Sequence, residues 1–102
     1  MKNLDLTFMN NVTWSVTLPN EVKIEVKKPT QKLLRLLESK IKLVESEKNP
    51  SKQLEKLTSL TKILLSNNKD DVVVGQDILD DLTTDMLYAI YLGYMEFVNE
   101  VR

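Results

Sequence analysis

The residues best suited to chemistry in this 102-residue chain are aspartates gathered in one stretch: Asp70, Asp71, Asp77, Asp80, Asp81 and Asp85. Carboxylate oxygens at such density are what Mg2+ or Ca2+ takes as ligands. Their spacing does not follow the twelve-residue calcium loop, and no Glu stands where that loop needs its bidentate ligand. Acids at helix starts and in a solvated loop account for them, so no metal site is expected. The chain has no His and no Cys, which removes zinc sites, thiolate chemistry, disulfides and imidazole acid–base catalysis in their usual forms. No base is placed to activate a Ser or Thr, and neither a Gly-rich phosphate loop nor a nucleophile elbow is present. The expectation is a protein that is not an enzyme and holds no cofactor.

A basic group, Lys23, Lys27, Lys28, Lys32, Lys40, Lys42 and Lys48, is interleaved with glutamates. With 14 basic against 15 acidic residues and a net charge of −1, there is no cationic excess to hold phosphates. A nucleic-acid partner is therefore not expected, and a small DNA-binding regulator is the weakest class of function. Apolar runs fall well short of the roughly 20 residues that a bilayer requires, so no membrane partner is expected either. Residues 1–10 alternate polar and apolar side chains where a signal peptide would run continuously apolar, and the expected location is the cytoplasm.

What remains is a surface. The three tyrosines, Tyr88, Tyr91 and Tyr94, recur at every third position, and their amphipathic rings suit interfaces. They belong to residues 82–102, read as one helix. Met86, Leu87, Tyr88, Ile90, Tyr91, Leu92, Tyr94, Met95, Phe97, Val98 and Val101 cover more of it than the stripe of about 100° that a surface helix hides. Asp85, Ala89, Glu96, Asn99 and Glu100 make the only polar strip. Such a helix must be wrapped by its own domain, by a partner, or by both. Tyr88, Tyr91, Leu92 and Met95, on the edge nearest the polar strip, are the candidate protein-binding residues. They are expected to be less buried than Leu87, Ile90, Tyr94 and Val98. Gly93 costs about 1 kcal/mol against Ala inside a helix, which points to another backbone crossing closely there or to mere tolerance.

The elements that must position this helix follow from the pattern upstream. Leu4, Leu6 and Phe8 alternate with polar residues, then Val12, Trp14, Val16 and Leu18 do so after Asn10-Asn11, then Val22, Ile24 and Val26 after Pro19-Asn20. Period two with turn residues between predicts a three-stranded antiparallel meander over residues 1–28. Helices follow over residues 30–102. Thr30 caps the first, whose Leu33, Leu34, Leu37, Ile41 and Val44 face is expected on the sheet, with Leu36 and Leu43 against a neighbouring helix. Asn49 or Ser51 caps the second, with Pro50 in its first turn and Leu54, Leu57, Leu60, Leu64 and Leu65 inward. Asn67 or Asn68 is expected to stop it in the left-handed conformation. A short helix over residues 76–82 precedes the last. The fold class is α+β: one domain of 102 residues, the β-meander followed by three to four helices, the last one central.

The strand-to-helix passage Val22-Lys-Ile-Glu-Val-Lys-Lys-Pro-Thr30 running into Gln31-Lys-Leu-Leu-Arg-Leu-Leu37, the helix end Leu64-Leu-Ser-Asn-Asn-Lys69 before an acidic segment, and the closing Leu87-Tyr-Ala-Ile-Tyr-Leu-Gly-Tyr-Met-Glu-Phe-Val-Asn-Glu-Val101 resemble the small tail assembly chaperones of siphoviruses and prophages in Gram-positive bacteria. The resemblance implies a non-catalytic protein that binds the phage tape measure protein and keeps it soluble while tail-tube subunits polymerise around it. It also implies a transient scaffold in the host cytoplasm, absent from the finished virion. The alternative is a small oligomeric structural or interaction protein of a phage or prophage, in which the last helix pairs with a second copy of the chain as a homo-oligomer.

Overall fold

Alternation builds the sheet as the pattern requires. In β1 (Thr13–Thr17) the residues Trp14 and Val16 point to one face, and in β2 (Lys23–Lys27) Ile24 and Val26 do the same. The two strands pair antiparallel, with Trp14 opposite Val26 and Val16 opposite Ile24. Their connection is held by the Glu21 N–H donating to the Leu18 carbonyl at 2.8 Å and the Leu18 N–H donating to the Val22 carbonyl at 2.9 Å. Pro19 fixes its own φ at the start of this turn, and Glu21 takes the left-handed conformation with φ 68°. The outer face of the sheet is polar. Thr13 and Ser15 hydroxyls donate to the Glu25 carboxylate at 2.9 and 2.8 Å, and these bonds, Ser15 first, hold the Glu25 carboxyl below the usual carboxylate range.

The computed structural model describes residues 12–99 together with Leu4 and Leu6. Among them the sheet has two strands; the expected first strand and the Asn10-Asn11 turn lie outside the described residues, apart from Leu4 and Leu6, which are exposed. The far edge of β2 is occupied by a loop. Lys27 N–H donates to the Asn67 carbonyl and Lys69 N–H to the Glu25 carbonyl, both at 2.9 Å, forming a bridge between Val26 and Asn68.

Helix α1 (Gln31–Ser46) starts where Thr30 Oγ1 accepts the Leu33 N–H at 3.2 Å. Helix α2 (Pro50–Ser66) starts where Asn49 Oδ1 accepts from the N–H groups of Ser51 and Lys52. The corner between them is pinned by Gln53 Nε2 donating to the Val44 carbonyl at 3.0 Å and by a 2.7 Å ion pair between Lys56 and Glu47. The expected placing of α1 is corrected. Its main packing partner is α2, while α2 itself lies against β2 and against α4 (Thr84–Asn99), and α4 against β1. Two helices suffice to cover so small a sheet, which leaves α1 as an outer layer on α2. Leu37 and Val44 are buried; Leu36 and Leu43 stand 45% and 46% exposed, with Leu43 bordering a hollow against Glu55, Lys56 and Ser59 of α2.

The end of α2 is a second correction. Asn67 has φ −84°, and among the described non-glycine residues only Glu21 and Asp71 have positive φ. The helix stops because its next residues leave to bond β2. Buried Asn68 then fixes the loop, donating from Nδ2 to the carbonyls of Leu65 and Val72 and accepting the Val72 N–H at 2.7 Å. Residues 72–74 join no strand. Helix α3 (Gln76–Asp80) is shorter than expected, because the Asp81 and Leu82 N–H groups close a tighter turn onto the Ile78 and Leu79 carbonyls. The Thr83 hydroxyl accepts the Met86 N–H at 3.2 Å at the start of α4.

The core joins Ile24 and Val26 of the sheet to Leu57, Leu60, Leu64 and Leu65 of α2 and to Leu87, Ile90, Tyr94 and Phe97 of α4. Its aromatic part is a trio: Trp14 lies 6.2 Å from the Tyr94 and Phe97 rings, centroid to centroid, and those two are 6.4 Å apart. What crosses closely at Gly93 is this indole and not a backbone. A Cβ there would stand 2.5 Å from Trp14 Cζ2 and 3.1 Å from Cη2. Gly93→Ala is therefore expected to destabilise the fold by about 1–3 kcal/mol through overpacking, although helix propensity alone favours Ala by about 1 kcal/mol. Urea unfolding monitored by Trp14 fluorescence measures which effect wins; a more stable variant would refute the close packing.

Candidate functional site

Helix α4 divides into flanks that differ in what covers them. Leu87, Ile90, Tyr94 and Phe97 are buried; Tyr91, Met95 and Val98 are half-buried; Tyr88 is 40% and Leu92 61% exposed. The four candidate residues thus lie on the more open side. The expected contrast holds for Tyr88 and Leu92 against Leu87, Ile90 and Tyr94, whereas Val98 is half-buried like Tyr91 and Met95.

Tyr88, Leu92 and Met95 follow one another at steps of four and three, so they stack along one line of the helix. The line continues across a shallow hollow onto α2, where Leu54 and Tyr88 share a wall with Leu57 and Thr84. Leu54, expected inward, is 40% exposed. Sequence reading missed it because a helical stripe shows which residues align, not where a neighbouring helix stops short. At the other end Leu92 and Met95 border Glu96 and Asn99. Asp85 and Glu96 are the only charged residues within α4, so the apolar line has an acidic margin.

Tyr91 lies at the inner limit of this line. Partial burial, and then the nearby Glu45 carboxylate of α1, raise its hydroxyl above the usual phenol range. Tyr94 points the opposite way, into the core. Its hydroxyl oxygen is buried without a hydrogen-bond partner, and burial pushes its pKa up to about 12. Lys28 secures the far end of the helix, donating to the Phe97 carbonyl with its ammonium 4.3 Å from the Phe97 ring centroid. That contact places a cation at the helix C-terminus and over an aromatic face.

The acidic residues do not converge. Asp70, Asp71, Asp77, Asp80, Asp81 and Asp85 are all exposed, and among the described residues no group of three His, Cys, Asp or Glu side chains is placed to hold a metal ion. No helix among them is long and apolar enough to cross a membrane. No protein-family model, curated protein or solved structure matches the chain. Among the described residues the geometry offers an apolar contact surface on α4 and α2.

The orphaned Tyr94 hydroxyl makes a measurable contribution. Removing it leaves an apolar ring in an apolar site, so Tyr94→Phe is expected to raise stability by about 1 kcal/mol at neutral pH. The folded state holds the phenol proton more tightly than the unfolded chain, whose tyrosines titrate at about 10. The stability tied to that proton is complete below pH 10 and is lost as pH rises towards about 12. Urea melts at successive alkaline pH values should show a shallower decline in Tyr94→Phe than in the parent; equal slopes would place that hydroxyl in water.

Proposed function

We propose that this chain is a non-catalytic tail assembly chaperone of a siphovirus or prophage, binding an amphipathic helix of a tape measure protein and keeping it soluble in the host cytoplasm during tail-tube assembly. The observation that carries this reading is the apolar line of α4, exposed at Tyr88 and Leu92 and half-buried at Met95, extended onto α2 by Leu54. A helix laid in a shallow apolar channel buries its own stripe through anchors spaced three and four residues apart. Tyrosine contributes a large, rigid contact area with a wet hydroxyl, and methionine adapts to irregular neighbours. Both properties suit a long partner whose successive segments differ in detail. The acidic margin of Asp85 and Glu96 favours partner segments flanked by Lys or Arg. The resemblance of the strand-to-helix passage and of the closing helix to tail assembly chaperones supplies the identity of that partner.

Co-expression with a candidate tape measure protein should raise the soluble yield of that protein and recover the two together. Tyr88→Ser combined with Leu92→Ser should lower affinity at least about tenfold, equivalent to about 1.4 kcal/mol, while leaving the thermal midpoint close to the parent value. Unchanged solubility and no co-purification would overturn the proposal. A parent protein that is a stable dimer in light scattering, and becomes a monomer on the double substitution without ever binding a tape measure segment, would assign the same surface to a second copy of the chain.

A further inference from the structure

Leu54 belongs to two hollows at once. One it shares with Tyr88 and Thr84 of α4, as part of the proposed partner surface. The other, open and about 320 Å³ in volume, lies between α2 and α3, where Glu55 and Thr58 face Gln76 and Asp80. The apolar line therefore does not end at Leu54 but turns there into a cleft bordered by two carboxylates. At the opposite end of the line Glu96 borders Leu92 and Met95. Among the described residues no Lys or Arg lines any of these three hollows, although the chain as a whole carries 14 basic against 15 acidic residues.

Helix formation does not account for the two carboxylates of the cleft. Asp85 stands in the first turn of α4, where the helix dipole favours an acid, but Asp80 closes α3, the end at which the dipole favours a cation. The Asp80 carboxylate accepts from the neutral Gln76 amide at 2.8 Å. Glu55 also borders a hollow on its α1 side with Lys40 and Lys56, of which Lys56 is paired with Glu47. Among the described residues neither Glu55 nor Asp80 is in an ion pair.

We propose that this surface selects a cationic amphipathic helix, in which a Lys or Arg beside the apolar anchors lays its methylene stem over Leu54 and sets its charge between Glu55 and Asp80. The inference rests on the proposed partner surface and adds the chemistry of its occupant. Charge decides between occupants. A second copy of the chain, paired through the same face, would bring two acidic rims together, and like charges across an interface cost affinity. Nucleic acid and anionic bilayers present phosphates of the same sign as the rim. A long basic side chain supplies both an apolar stem for Leu54, which is 40% exposed, and a charge for the carboxylates beyond it. The rim is open to solvent, where charges more than about 10 Å apart are screened at 0.1 M salt. Its effect is therefore on encounter and partner choice more than on holding a bound helix.

Two synthetic helical peptides with the same apolar stripe, one flanked by Lys and the other by Glu, test this on the full chain by fluorescence anisotropy. At about 50 mM salt the Lys peptide should bind at least about tenfold more tightly, and the gap should narrow towards about 500 mM. Glu55→Gln combined with Asp80→Asn should shrink the gap at least about threefold without lowering the thermal midpoint. Equal binding of the two peptides, both weakened by Tyr88→Ser with Leu92→Ser, would overturn the charge selection and leave the apolar surface standing. A preference for Lys that the Glu55→Gln, Asp80→Asn chain keeps in full would also overturn it, by placing the selecting charges elsewhere. Binding by neither peptide would overturn it together with the partner surface on which it rests.

Discussion

The indole of Trp14 lies where a side chain at residue 93 would otherwise be, and most of the arrangement depends on that contact. It fixes how closely α4 approaches β1 and sets the rotation of α4 about its own axis, because a helix seated on the indole through Gly93 must send Tyr94 and Phe97 into the same aromatic trio. Once those rings are inward, Leu87 and Ile90 follow them into the core, Tyr88 and Leu92 are carried to the open side, and Met95 sits half-buried at its margin. The exposed line is thus a geometric remainder of the sheet contact. A different rotation would have to break the trio before it could hide Leu92.

Much of this was legible in the sequence where a signal is local. The Thr30 and Asn49 caps, Pro50 in the first turn of α2, and the alternation in β1 and β2 all act within a few residues of where they are read. The graded burial of α4 was legible because its polar strip, Asp85 with Glu96 and Asn99, marks the outer side. The failures share another cause. Whether α1 rests on the sheet or on α2 depends on how much sheet remains after α4 is placed, and the Leu33–Leu37–Val44 stripe contains nothing about that. Asn67 and Asn68 had the composition of a helix stop, but their roles were set by β2, whose edge takes the backbone and whose neighbourhood buries the Asn68 amide. Gly93 announced a close approach without saying from what. The candidate residues Tyr88 and Leu92 were legible as exposed, whereas Leu54 beside them was not, since its exposure arises between two helices.

An apolar line that is open and a core that is closed coexist on one helix only if the closed side is strongly fixed. Lys28 contributes here from a distance in sequence: it leaves β2, reaches the Phe97 carbonyl and covers the Phe97 ring. The sheet therefore holds α4 near its middle through Trp14 and near its end through Lys28. With both points set, contacts made on the outer side meet a preformed surface, which lowers the ordering cost of binding.

The bridge from β2 to the loop after α2 has a topological effect. Lys27 and Asn67 meet at one rung of backbone hydrogen bonds, so everything between them is an excursion that departs from and returns to a single place. The length of that excursion is uncoupled from the spacing of the strands. Whole turns added to α1 and matched in α2 would carry the Asn49-Pro50 corner outward and leave β1, β2 and α4 where they are. The helical hairpin is the dimension along which a protein of this design can grow without re-solving its core.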